Sequence, residues 1–214
     1  MPRLPQSAPL SSPGALFVTT AVEPPQGTRG RLLDAALELV KTHGFQALTQ
    51  ARVASAAGLR QSHVTYHFPT RTHLLTAVAT HCAASTMQLM GSNPCALPPD
   101  LQGFRVHIAE HVSQRTMPRM LLGLTLASEE DPSLKNWLAE FEAGVRNHLG
   151  AIFTHYGLQP AAAEIALFHA SLVGICTLQV GSAPDAPSET SRDLLFAAFD
   201  RLVAAARPGL VECF

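Results

Sequence analysis

The placement of proline constrains this chain more than any other feature. Six of its 16 prolines fall within residues 1–27, and none lies between 26 and 68. The other ten stand at 69, 94, 98, 99, 118, 132, 160, 184, 187 and 208. Between them, apolar residues recur at steps of three and four. Proline removes a backbone donor and breaks a helix from within, so periodic segments bounded by proline read as helices. Leu33, Ala36, Leu37 and Val40 predict a first helix, capped by Thr28 and closed by Gly44. A later helix, from about Arg71 to Gly91, places Leu74, Val78, Cys82, Ser85 and Leu89 on one face. Another is expected over 101–116. Asp131 before Pro132 forms an N-cap with proline at N1, opening a long helix with Leu134, Trp137, Leu138, Phe141, Val145, Leu149 and Ile152 inside. The last helix, from about Ser191, aligns Leu194, Leu195, Ala198, Phe199, Leu202 and Val203. Residues 161–180 are the most apolar stretch. They contain Glu164, His169 and Gln179, and read as a buried helix rather than a membrane span. No alternating run is bounded by hairpin turns, and the expected fold is all-α.

The formal net charge of −1 conceals a division along the chain. Residues 28–75 hold Arg29, Arg31, Lys41, Arg52, Arg60 and Arg71 against Asp34 and Glu38, a net +4. Residues 76–214 hold eight bases against thirteen acids, a net −5. A small basic module therefore precedes a larger acidic one, an asymmetry that points to nucleic acid. The three divisions are a disordered arm at 1–27, a head at 28–75 and a body at 76–214. The arm lacks a basic n-region, and its prolines interrupt its apolar stretch, so it does not read as a signal peptide. Cys82, Cys95, Cys176 and Cys213 form no C-x-x-C pair, which excludes a zinc ribbon and fits a reducing cytoplasm. Charged residues make up only 14% of the chain, so part of its surface is expected to be covered by another subunit.

Residues 49–68, TQARVASAAGLRQSHVTYHF, have helix–turn–helix spacing. Thr49 caps a short helix whose inner face is Val53, Ala54 and Ala57. Gly58 supplies the positive φ of the turn, and Leu59 plugs the angle between the helices. Ala54 is small because the helices cross there. Val64 and Phe68 anchor the second helix, leaving Gln61, Ser62, His63, Thr65 and Tyr66 facing outward. Glutamine, serine and threonine can read base edges, while tyrosine and histidine suit phosphates.

The wider run is more specific. Phe45, Thr49, Val53-Ala54, Ala57-Gly58-Leu59, Tyr66-His67-Phe68-Pro69 and Arg71-x-x-Leu74-Leu75 together resemble the N-terminal domain of TetR-family transcriptional repressors, over residues 28–78 without a gap. The resemblance implies a three-helix DNA-binding head, a helical ligand-binding body and a homodimer formed by the last two helices. It places Gln61, Ser62, His63 and Thr65 at base-reading positions. Thr49, Tyr66 and His67 would contact phosphate or sugar, and Gln50 is counted among the DNA-binding residues. Arg71 takes the place of the family's usual lysine, which grips a phosphate. Thr65 stands where many members carry tyrosine, and Ser62 and His63 where many carry small residues, so an operator sequence does not transfer.

Other constellations were weighed beside this one. His107, Glu110 and His111 match the H-x-x-E-H pattern of zinc hydrolases. With ten histidines in the chain a chance pair is expected, and no third ligand segment follows. His169, beside Phe168, Leu172 and Val173, reads as a satisfied core or interface histidine. Phe104, His107, Met117, Met120, Trp137 and Phe141 are the candidates for lining an effector cavity, although methionine and aromatic residues at helical spacing commonly form plain core. The expectation is a cytoplasmic, ligand-responsive, dimeric repressor that binds a near-palindromic operator on double-stranded DNA. It needs no catalytic residues, metal, cofactor or membrane, and its small-molecule effector is unnamed. The alternatives are a helical metal-dependent hydrolase and a helical interaction protein that does not bind DNA.

Overall fold

A computed structural model describes residues 27–89, 97–112, 116–181 and 189–206. The expected arm at 1–27 therefore lies almost wholly outside the described residues, as do Cys95 and Cys213. All regular structure among the described residues is helical: α1 (Gly27–His43), a 3-10 turn (Phe45–Ala47), α2 (Gln50–Ala56), α3 (Gln61–His67), α4 (Arg71–Leu89), α5 (Leu101–Val112), α6 (Thr116–Ser128), α7 (Pro132–His155), α8 (Ala162–Gly181) and α9 (Glu189–Ala206).

Local chemistry sets most of these boundaries. Thr49 accepts a hydrogen bond from the Arg52 N–H at 3.3 Å, and Asp131 accepts one from the Ser133 N–H at 2.9 Å with Pro132 at N1. Gly44 at φ 79° closes α1 through its N–H to the Val40 carbonyl at 3.0 Å. Three expectations are corrected. Thr28 is not the cap of α1, because the helix already includes Gly27. Of the helix expected over 101–116, Leu101–Val112 is described as α5, residues 113–115 lie outside the described residues, and Thr116 belongs instead to α6, with Pro118 in its first turn, where a missing N–H removes no hydrogen bond. Ser85 is exposed rather than interior, its hydroxyl bonded to the His81 carbonyl.

Two apolar clusters hold the molecule together. The first begins in the head with Leu32, Leu33, Val53, Ala54, Val64 and Phe68. It continues without interruption into Met120, Leu124, Leu134, Trp137, Leu138 and Phe141. Helix α4 joins the two regions: Leu74, Leu75, Thr76, Ala77, Val78 and Ala79 are all buried in succession. Thr76, the one polar side chain in this run, satisfies its hydroxyl on the Thr72 carbonyl at 2.9 Å, and α4 lies against α1, α6 and α7. The head and body inferred from charge therefore share one core. The second cluster joins α5, the end of α7, α8 and α9 around Phe104, Phe153, Phe168 and Phe199, whose rings lie 5.6–6.2 Å apart.

The close approach of α6 to the head depends on Gly123. A Cβ there would overlap the Phe45 ring. Polar contacts reinforce the junction: Thr72 donates to Asp131 at 2.5 Å, Arg119 to the Lys41 carbonyl at 2.5 Å, and His81 Nε2 lies 2.9 Å from Asp34.

Helix α8 departs from the buried helix expected of it. It is long and apolar enough to cross a membrane, yet only 17% of its most apolar window is buried. Leu167, Val173 and Leu178 are exposed, and so is Leu194 on α9, which the sequence had placed on the inner stripe. Leu195, Phe199, Leu202 and Val203 occupy that stripe. Leu194 precedes it by one residue, about 100° around the helix, and faces outward.

Candidate nucleic-acid interface

The geometry of the second short helix follows from two anchors. Val64 is fully buried and Phe68 nearly so. The turn before it is closed by Gly58 at φ 66° and by the Leu59 N–H bonded to the Ala54 carbonyl at 2.9 Å. With α3 fixed from beneath, Gln61, Ser62, His63, Thr65 and Tyr66 stand on the exposed surface. Tyr66 is 73% exposed, an unusual position for a large ring that has no external partner.

Local bonds orient several of these side chains. Thr65 donates its hydroxyl proton to the Gln61 carbonyl at 3.0 Å, so its methyl and the oxygen lone pairs remain for a partner. His63 Nδ1 lies 3.3 Å from the Arg60 carbonyl, which leaves Nε2 pointing away from the backbone. His67 is half-buried and meets the Tyr66 ring edge-on at 5.1 Å. Burial first, then the neighbouring Arg29 and His63, holds its imidazole below the ordinary histidine range. At neutral pH His67 is thus an uncharged hydrogen-bonding group, suited to a phosphate oxygen without forming an ion pair.

Gln50 has an intramolecular partner that the sequence did not reveal. Its amide donates to the Phe68 carbonyl at 2.9 Å and is half-buried, tying the start of α2 to the end of α3. It thereby helps to position α3. The basic residues divide in the same way. Arg31 donates to the Ala57 carbonyl at 3.1 Å, and the Arg29 guanidinium lies 5.5 Å from the centre of the Phe68 ring, so both brace the head. Arg52, Arg60 and Arg71 are exposed and make no ion pair among the described residues. Thr49 lies at the N-cap of α2, half-buried, with its oxygen engaged by Arg52 N–H and its proton still available.

The residues considered for an effector cavity do not form one group. Met120, Trp137 and Phe141 belong to the first cluster, with Met117 packed against it. Phe104 belongs to the second, among Phe153, Tyr156 and Phe199. His107 is half-buried on α5, one turn beyond Phe104. Among the described residues no group of three His, Cys, Asp or Glu could hold a metal, and the His111 side chain lies outside them. His169 is half-buried where α8 meets α7; burial, the largest influence, lowers its pKa.

Comparison with known proteins places this architecture. Residues 32–78, from α1 into α4, match the model for bacterial regulatory proteins of the tetR family. An uncharacterised HTH-type transcriptional regulator in the dhlA 5′ region of Xanthobacter autotrophicus is 32% identical over 118 residues. That alignment covers 53% of this chain and 54% of the relative, so the chain matches about half the length of this curated protein. A crystal structure of a transcriptional regulator from Rhodococcus sp. Rha1 shares the fold with a TM-score of 0.66 at 17% identity, over 84% of this chain and 98% of that one. The multidrug binding protein EbrR, solved in complex with imidazole, has a TM-score of 0.57 at 22% identity, over 81% of this chain and 96% of its own. The structural likenesses establish a shared fold, and residues 32–78, the helix–turn–helix head, are similar to the DNA-binding domain of bacterial regulatory proteins of the tetR family.

Proposed function

We propose that this protein is a cytoplasmic, ligand-responsive transcriptional repressor that binds a near-palindromic operator as a homodimer. One observation carries the reading. Val64 and Phe68 hold α3 rigidly while Gln61, Ser62, His63, Thr65 and Tyr66 face outward on a module of net charge +4. A helix presented in this way fits a major groove. Arg52, Arg60 and Arg71 flank it as phosphate contacts, and the acidic body is repelled from the duplex.

The exposed apolar residues Leu167, Val173, Leu178 and Leu194 support dimerisation through α8 and α9. A second copy packed on that face would bury them and would set two reading helices on one side of the DNA, which requires a two-fold operator. The effector is placed in the body. The similar fold of EbrR, a multidrug binding protein, agrees with such a site, and the core shared by α4, α6 and the head supplies the mechanical link. An effector releases DNA only if it binds the DNA-incompetent arrangement more tightly than the competent one.

Selection of bound duplexes from a random pool tests the reading. A near-palindrome is expected, with affinity that falls steeply with salt. Tyr66→Ala and Arg71→Ala should weaken all sequences alike, whereas Gln61→Ala and Thr65→Ala should relax preference at particular base pairs. Enrichment of no motif, together with unchanged binding in all four variants, would refute it.

A further inference from the structure

Trp137 is 4% exposed, yet its indole N–H has no hydrogen-bond partner among the described residues. Buried indole N–H groups nearly always find an acceptor, because one left unmet carries its full desolvation penalty. The surroundings are apolar. Leu134, Leu138, Phe141, Met120 and Leu124 share the cluster of Trp137. The indole is stacked on Phe141, with ring centres 5.3 Å apart and planes 6° from parallel. The two rings therefore form one flat, rigid wall with a single unmet donor at its edge. Met117 and Met120 of α6 are unbranched thioethers, the side chains best able to yield to an entering molecule.

We infer that Trp137 Nε1–H is the hydrogen-bond donor of the effector site, and that the effector is a neutral, planar, largely apolar molecule carrying one acceptor oxygen or nitrogen. This rests on the ligand-responsive reading above and adds to it the class of ligand. The apolar side chains that share the cluster of Trp137 disfavour a carboxylate or an ammonium group, because burying an unpaired ion among them is prohibitive. A plain hydrocarbon satisfies the walls but leaves the donor unmet. The ligand therefore needs both a flat body, to lie against Trp137 and Phe141, and an acceptor at its rim. Its place in the core is also consequential. Trp137 lies in the same continuous cluster as Val64 and Phe68, which fix α3, so an occupant that separates α6 from α7 disturbs the packing beneath the reading helix.

Because Trp137 is the single tryptophan of the chain, its fluorescence reports this site alone. The test titrates the full-length protein with acetophenone and 2-acetonaphthone as neutral acceptors, ethylbenzene as the acceptor-free control, and benzoate as the charged one. The ketones should perturb the emission and bind about tenfold more tightly than ethylbenzene, the ratio expected of one hydrogen bond to a buried donor, and benzoate should bind least. Trp137→Phe keeps the stacked ring and deletes only the donor. By calorimetry this variant should bind the ketones no better than ethylbenzene, with ethylbenzene unchanged. Equal affinity for ketone and hydrocarbon in the parent protein, absence of ketone binding, or an equal loss of both ligands in the folded variant would overturn the inference. Operator release separates the two claims. Ketones that bind with these preferences but leave the operator complex intact would sink the ligand-responsive reading and keep the ligand class. Release of DNA by some other compound, with Trp137 emission unmoved, would do the reverse.

Discussion

Gly123→Ala probes the junction between head and body directly. In an exposed helix the change would stabilise by about 1 kcal/mol, since alanine is the better helix former. Here the added Cβ would overlap Cγ, Cδ1 and Cδ2 of Phe45, so the whole ring has to move and not only its tip. Phe45 is 8% exposed and lies in a 3-10 turn closed by the Ala47 and Leu48 N–H groups, which leaves it little room. Overpacking of this kind costs about 1–3 kcal/mol. With the ring's attachment atom in the way, the upper end applies, and the net effect is a loss of about 2 kcal/mol. In a Phe45→Ala background the obstruction is gone, and the same change should regain its helix-forming benefit of about 1 kcal/mol. The double-mutant cycle should then show a coupling of about 3 kcal/mol between the two positions. Urea unfolding of the four proteins at one fixed concentration measures it, since any self-association makes stability concentration-dependent. A Gly123→Ala protein as stable as the parent, or more so, would refute the close approach of α6 to the head.

Three further outcomes follow from single contacts. Gln50→Ala removes the amide that holds the Phe68 carbonyl; stability should fall by about 1 kcal/mol and affinity should weaken equally for all DNA sequences, whereas a change in base preference would return Gln50 to the reading surface. Asp131→Ala deletes both the N-cap of α7 and the acceptor for Thr72, and should cost about 1–2 kcal/mol in denaturant titrations; a neutral result would mean that α7 starts without this cap. Burial lowers the pKa values of His67, His148 and His169, so each binds its proton more weakly folded than unfolded. Stability should therefore be full above the unfolded histidine pKa near 6.5 and decline as pH falls through it, which thermal melts between about pH 7.5 and about pH 5 would show. A flat profile would contradict the burial of all three.

The head was largely legible in the sequence because its chemistry is local. A glycine that must take positive φ, a threonine cap three residues before its donor, and anchors at Val53, Ala54, Val64 and Phe68 all act within about twenty residues. Their spacing alone fixes which side chains face outward. The Asp131-Pro132 start of α7 was equally plain, for the same reason. The bond from Gln50 to the Phe68 carbonyl was not legible, because its acceptor lies 18 residues away and carries no side-chain signal.

The body was read less well. Apolar periodicity shows that a stripe exists but not what covers it, so α8 passed for a buried helix although much of its apolar face is open. The same limit grouped Phe104 with Trp137 and Phe141, which belong to separate clusters. By itself the sequence determined helices, caps, the turn and the sign of each module's charge, since each depends on neighbours along the chain. Only the tertiary structure decided that head and body share one core, that Gly123 admits Phe45, and that Trp137 keeps an unmet donor. Those facts arise where segments far apart in sequence meet, and no local pattern records such a meeting.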